Sequence, residues 1–237
     1  MSPRDDMHSH GPKSPRPARP VKGGARRSRF PDAPENIRRL KVDARGFPIP
    51  YFVAMVNGKP DHRVVDPRKV QPALAGGLCW ICGEPMGGDS AFVMGPTSAF
   101  TRVTSEPASH WACGCFAAQA CPFLTQPRMR RNHKGLEGVT LTAPGNMLPQ
   151  NGGLAVVWAT STFTQAPNSE GKTTFSLGQP TQVAWFREGR PASREEVVAF
   201  IETTVGRFRT LVEQGGPPAA KRLAEYRERA LALAPKS

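Results

Sequence analysis

The 237-residue chain predicts an α+β fold with a long polar extension, and three observations lead there. Runs rich in Val, Thr, Trp and Phe in the second half are separated by Pro, Gly and Asn clusters, the pattern of short antiparallel strands. Two stretches near the C-terminus carry apolar residues at helical spacing. With 25 Pro, 23 Gly and 38% hydrophobic residues, much of the remainder is loop or tail. The expected organisation is a disordered basic arm over 1–45, a hairpin and a cysteine-rich module over 46–135, and an antiparallel sheet with two helices over 136–237.

The first segment is rich in Pro, Arg, Ser and Gly and has few aliphatic side chains to offset the entropy of ordering it. Order is expected to begin near Gly46. Residues 51–56 read as a strand, Asn57-Gly58 as a two-residue hairpin turn, and 61–65 as the returning strand. Asp66-Pro67 then fits an N-cap followed by a first-turn proline, with a short helix to Ala75 ended by Gly76-Gly77.

Strands are expected over 139–142, 154–164, 173–177 and 182–186. Val156 and Trp158, then Val183 and Trp185, alternate at period two, which puts the tryptophans on one buried sheet face. A base-stacking surface is the competing use of those rings. Ser193 and Glu196 form a capping box. Val197, Phe200, Ile201, Val205, Phe208, Leu211 and Val212 follow as an apolar stripe. Residues 215–218 (Gly-Gly-Pro-Pro) break it, and a last helix carries Leu223, Tyr226, Ala230 and Leu231 on one side.

The net charge of +13 is unevenly spread: +7 over residues 1–45, zero over 46–127 and +6 over 128–237. A neutral centre flanked by basic segments suits a polyanionic partner, although a pI near 10.2 also arises from the Arg-, Ala-, Gly- and Pro-rich composition of GC-rich genomes. Candidate phosphate contacts are Arg26, Arg27 and Arg29 in the arm and Arg128, Arg130, Arg131 and Lys134, with His133, in a second basic run. No run approaches the roughly 18 apolar residues of a membrane helix, and the N-terminus lacks a signal-peptide core. A soluble cytoplasmic protein without membrane contact is the expectation. In a reducing compartment, five cysteines are metal ligands or free thiols rather than a disulfide framework.

Two separated pairs carry the chemistry: Cys79-x-x-Cys82-Gly83 and His110-x-x-Cys113. Zn2+ takes four tetrahedral N/S ligands, and a C-x2-C turn ending in glycine forms a knuckle whose thiolates meet one ion while its amides face the sulfurs. His110 and Cys113, three apart at the start of a helix capped near Ser109, share one face. Such a Cys3His site is closed and structural. Cys115 and Cys121 read as core thiols or substitute ligands. With two short strands expected around Pro96, the order knuckle, hairpin, helix over 78–121 resembles the treble-clef zinc fingers, with His110 where a cysteine commonly stands. The runs CWICGEPMG, EPASHWAC and ACPFLTQPRMRR are similar to a group of uncharacterised proteins from actinobacteria and their phages, which implies a setting and no mechanism.

A zinc deaminase would need a Glu two residues after the histidine, and Ala112 stands there. No G-x-S-x-G, phosphate loop, H-E-x-x-H or dinucleotide fingerprint is present. Asp61, His62 and Asp66 beside Arg63 and Arg68 are either an acid/base cluster or paired surface charges; an enzyme would need His62, Asp61, Glu84, Glu106 or His133 to converge in a pocket. The sequence therefore points first to a non-enzymatic, zinc-stabilised phage or bacterial protein that engages nucleic acid, and second to a protein-interaction module. It leaves the oligomeric state open.

Overall fold

The structure, a computed structural model, describes residues 28–130, 132, 134–136, 152–214 and 216–236. Arg26, Arg27, Arg131, His133 and the strand expected over 139–142 lie outside the described residues.

Order begins before Gly46, contrary to expectation. Within residues 28–45, assigned to the arm by composition, a short helix α1 (Glu35–Arg38) buries Ile37 completely. Phe30 packs edge-on against both Phe47 and Phe116, with ring centroids 5.4 and 5.3 Å apart. Three apolar residues spaced through a charged run (Phe30, Ala33 and Ile37) suffice because their partners are distant in sequence.

The first hairpin is as read: β1 (Val53–Val56) pairs antiparallel with β2 (Lys59–Val65) across Asn57-Gly58. Both turn residues have positive φ (50° and 75°), as a tight hairpin turn demands. Asp66 caps a 3-10 turn, its carboxylate accepting from the Arg68 N–H, and α2 (Val70–Ala75) follows. This unit docks onto the knuckle through Trp80, which stacks on Phe52 at 5.4 Å and packs with Val65 and Ala73.

The expected hairpin around Pro96 is replaced. β3 (Ser90–Met94) is a strand, but Pro96 opens α3 (Pro96–Thr101), where its fixed φ suits a first helical turn. Val103–Thr104 forms β4 in another sheet. What survives of the hairpin is the single bridge Ala91 to Ser109, held by reciprocal N–H to O bonds of 2.9 and 2.7 Å. Helices α4 (Trp111–Ala120) and α5 (Pro122–Thr125) follow.

The strand expected over 154–164 is two strands in different sheets. Buried Thr160 donates its hydroxyl to the Thr162 and Gln179 carbonyls, turning the chain between β5 (Ala155–Thr160) and β6 (Phe163–Pro167). With β7 (Thr173–Leu177), β8 (Gln182–Arg187) and β9 (Arg190–Pro191), the sheets run β3-β5-β8-β9 and β4-β7-β6, every pair antiparallel. Every residue of β5 is buried because both of its faces are covered. On one face Val156, Trp158 and Trp185 pack with Val197 and Ile201 of α6 (Arg194–Gln214) and Ala230 of α7 (Gly216–Ala232). Trp158 pairs with Val183 and Val156 with Trp185. The tryptophans are therefore core residues and no stacking surface.

On the other face Ala155, Val157 and Ala159 meet α4. Gly114 makes that approach close: a Cβ there would lie 3.1 Å from Val157 and 3.2 Å from Val93. The capping box at α6 is formed, Ser193 N–H to Glu196 at 3.0 Å and Glu196 N–H to the Ser193 hydroxyl at 3.3 Å.

Candidate metal centre

The knuckle is built by backbone bonds. Cys79 N–H donates to the Glu84 carbonyl and Gly83 N–H to the Cys79 carbonyl, both at 2.8 Å. Gly83 is required: its φ is +79°, and a Cβ would lie 2.7 Å from the Tyr51 ring. The Cys82 N–H then points at Cys79 Sγ (3.4 Å), and so does the His110 N–H from the other half of the site (3.3 Å). His110 is itself the N-cap of α4 and makes no side-chain capping bond, so neither Ser109 nor the imidazole caps the helix. Cys113 is the third residue of α4, in its first turn.

The ligand atoms of Cys79, Cys82, His110 and Cys113 all lie within 4.8 Å of one another. Tetrahedral zinc with Zn–S of about 2.3 Å and Zn–N of about 2.0–2.1 Å would separate S and N by roughly 3.6 Å. Cys82 and Cys113 Sγ are 3.3 and 3.9 Å from His110 Nδ1, on either side of that value. The opposite ring nitrogen, Nε2, is 3.1 Å from the Pro85 carbonyl. A carbonyl only accepts, so the proton sits on Nε2 and the Nδ1 lone pair faces the sulfurs, the usual support for a ligating histidine. Asn36 of α1 donates to Cys82 Sγ at 3.8 Å.

The thiols divide sharply. A hydrogen bond from the Cys113 thiol, with the N–H groups around it, pulls the Cys79 thiol well below its ordinary range. That same bond and burial push Cys113 up, and burial pushes Cys82 up. Alone, the cluster favours a single thiolate; a divalent cation would stabilise three. The residues therefore fit a metal ion, with four donors filling a tetrahedron. Burial raises Cys115 to about 11, and it packs among the residues between α4 and the sheet. Cys121 ends α4. Neither belongs to the cluster.

Of the other candidate residues, Arg29, Arg128, Arg130 and Lys134 are exposed. Arg63 donates to the carbonyls of Asn132 (2.7 Å) and Lys134 (3.1 Å), tying the second basic run to β2. Arg29 and Arg45 both lie against the Phe47 ring, at 4.8 and 5.3 Å. Asp61 and Asp66 are engaged by Arg63 and Arg68 as fork-like ion pairs. Arg45 pairs with Asp43 too, but through two N–H groups on one carboxylate oxygen; in each case the backbone N–H two residues on is also bonded to the carboxylate. Glu84 sits in the knuckle and Glu106 precedes α4. Sequence reading missed Asn36, the Pro85 carbonyl and the Asp-x-Arg repeat; the last was visible as three D-x-R triplets.

No helix among the described residues is long and apolar enough to cross a membrane. Comparison with family models, with curated proteins and with solved structures returns no match.

Proposed function

We propose that the chain is a non-enzymatic, zinc-stabilised protein that engages nucleic acid through its basic segments, in the phage or bacterial setting that its motif resemblance implies. Zinc is the cation best suited to a buried Cys3His set, and in this reading its role is to hold the knuckle, α1 and α4 together. The observation that carries the nucleic-acid reading is the convergence of cations far apart in sequence. Arg29 and Arg45 share the Phe47 ring; Asp43, paired with Arg45, lies 3.4 Å from His62 Nε2; and Arg63, next to it, holds the backbone at Asn132 and Lys134. Both basic segments are thus tied to β2, the end of the arm through Asp43 and His62 and the second run through Arg63. Backbone phosphates would be their natural ligand.

The test is fluorescence anisotropy with labelled duplex DNA and single-stranded RNA across a salt series. The expected result is affinity falling with log salt at roughly 0.9 log units per phosphate contact on duplex DNA, with Arg29→Ala, Arg45→Ala and Lys134→Ala each reducing the slope by about one such step. No retention at low ionic strength overturns the reading.

One observation favours protein interaction as the second reading. β6 is the outer strand of its sheet and all five of its residues are exposed, leaving an edge that a partner strand could extend. Co-purification of one partner that survives nuclease would select it.

A further inference from the structure

The α6–α7 hairpin and α3 line a half-open cavity of about 290 Å³, on the face of the sheet opposite α4. Its floor is Ile201 and Ala230, both fully buried, and its walls include Phe100, Val205, Phe208 and Leu223. Phe208 and Tyr226 remain 41% and 37% exposed at its rim. So apolar a lining offers ordered water few partners, and such cavities take apolar molecules instead.

Size and charge narrow the occupant. The volume sits at the lower bound of small-molecule pockets, about 300 Å³. A single chain or one ring fits. Among the described residues, two cations line the cavity. Arg227 is committed to Glu202, with bonds of 3.1 and 2.5 Å. Arg222 is exposed and has no partner among the described residues.

We propose that this cavity binds a single-chain amphiphile with an anionic head group, of which a medium-chain fatty carboxylate is the simplest example. The chain lies along Ile201, Val205 and Leu223, and the head pairs with Arg222. This site is independent of the metal and of nucleic-acid binding.

Isothermal titration calorimetry on the zinc-loaded full chain, with decanoate and decan-1-ol as probes, tests it. The expectation is saturable 1:1 binding of decanoate and weaker binding of the alcohol. Arg222→Glu should weaken decanoate about tenfold or more and leave the alcohol unchanged, because only the carboxylate meets the reversed charge. Val205→Phe, which fills the cavity from its wall, should abolish both. Thr204→Trp is a second filling variant should Val205→Phe fail to fold. Absence of heat with either probe overturns the proposal. So does binding that neither filling variant alters, or sedimentation showing a dimer that occludes Phe208. An Arg222→Glu variant that still binds decanoate as tightly as the unaltered chain removes the anionic head group from the assignment.

Discussion

Replacing Ile37 with Ala measures how far residues 28–45 belong to the folded core. The side chain is 1% exposed and packs with Cys79, Cys82 and Cys113. The substitution deletes three buried carbons, about 2.4 kcal/mol at ~0.8 kcal/mol each. A partly relaxed cavity adds about 1 kcal/mol, for a total of roughly 3 kcal/mol, inside the range for large-to-small core changes. With a urea m-value of about 2 kcal/mol/M, the unfolding midpoint should fall by roughly 1.5 M at unchanged m. The assay is equilibrium urea unfolding followed by tryptophan fluorescence at fixed free zinc. Because α1 also presents Asn36 to Cys82, zinc affinity, read by competition with a chromophoric chelator, should fall in the same variant. A midpoint shift below about 0.3 M would mean that α1 is not packed on the cysteine cluster, and the account of the arm as partly structural would fail.

Three further outcomes are expected. Elemental analysis should find one equivalent of zinc, and chelation or Cys113→Ser should lower the melting temperature sharply, since metal affinity at a closed structural site is folding energy; an unchanged melt after metal removal would demote the centre. Gly83→Ala should destabilise by about 1–3 kcal/mol, because an L-residue must hold φ at +79° and its Cβ meets Tyr51; a neutral result in thermal denaturation would contradict the knuckle geometry. The pH dependence should carry two signatures. Burial holds the His62 pKa below its ordinary 6.5 despite nearby Asp43, so the unfolded chain takes up the proton first and stability falls as pH drops below 6.5 towards the folded value. The Asp66 pKa is depressed below 3.8, chiefly by its bond from Arg68; its contribution is complete above 3.8 and is lost as pH falls through the folded value. His62→Gln should remove the first slope and Asp66→Asn the second, each read as the difference from the unaltered protein in urea midpoints from pH 7 to 3; superimposable profiles would refute the assignment.

The features legible in the sequence are those encoded within a few residues. The spacing of Cys79, Cys82, His110 and Cys113, the Asn57-Gly58 turn, the Ser193–Glu196 box and the period-two tryptophans each impose a local geometry that the whole fold then uses. What escaped depended on distant partners. Nothing near Ile37 announces that it will be buried by cysteines more than 40 residues away. Pro96 suits a helix start as well as a turn, and only the pairing of β3 with β5 decides between them. The run through Thr160 is strand-like throughout, and the bend comes from a hydroxyl reaching the Gln179 carbonyl.

The bridge between Ala91 and Ser109 has a practical consequence. Everything from Phe92 to Ala108 has been spliced into the middle of the cysteine unit, and that inserted stretch supplies strands to two separate sheets. The unit is therefore no detachable cassette: a fragment trimmed to its ligands would sever both sheets.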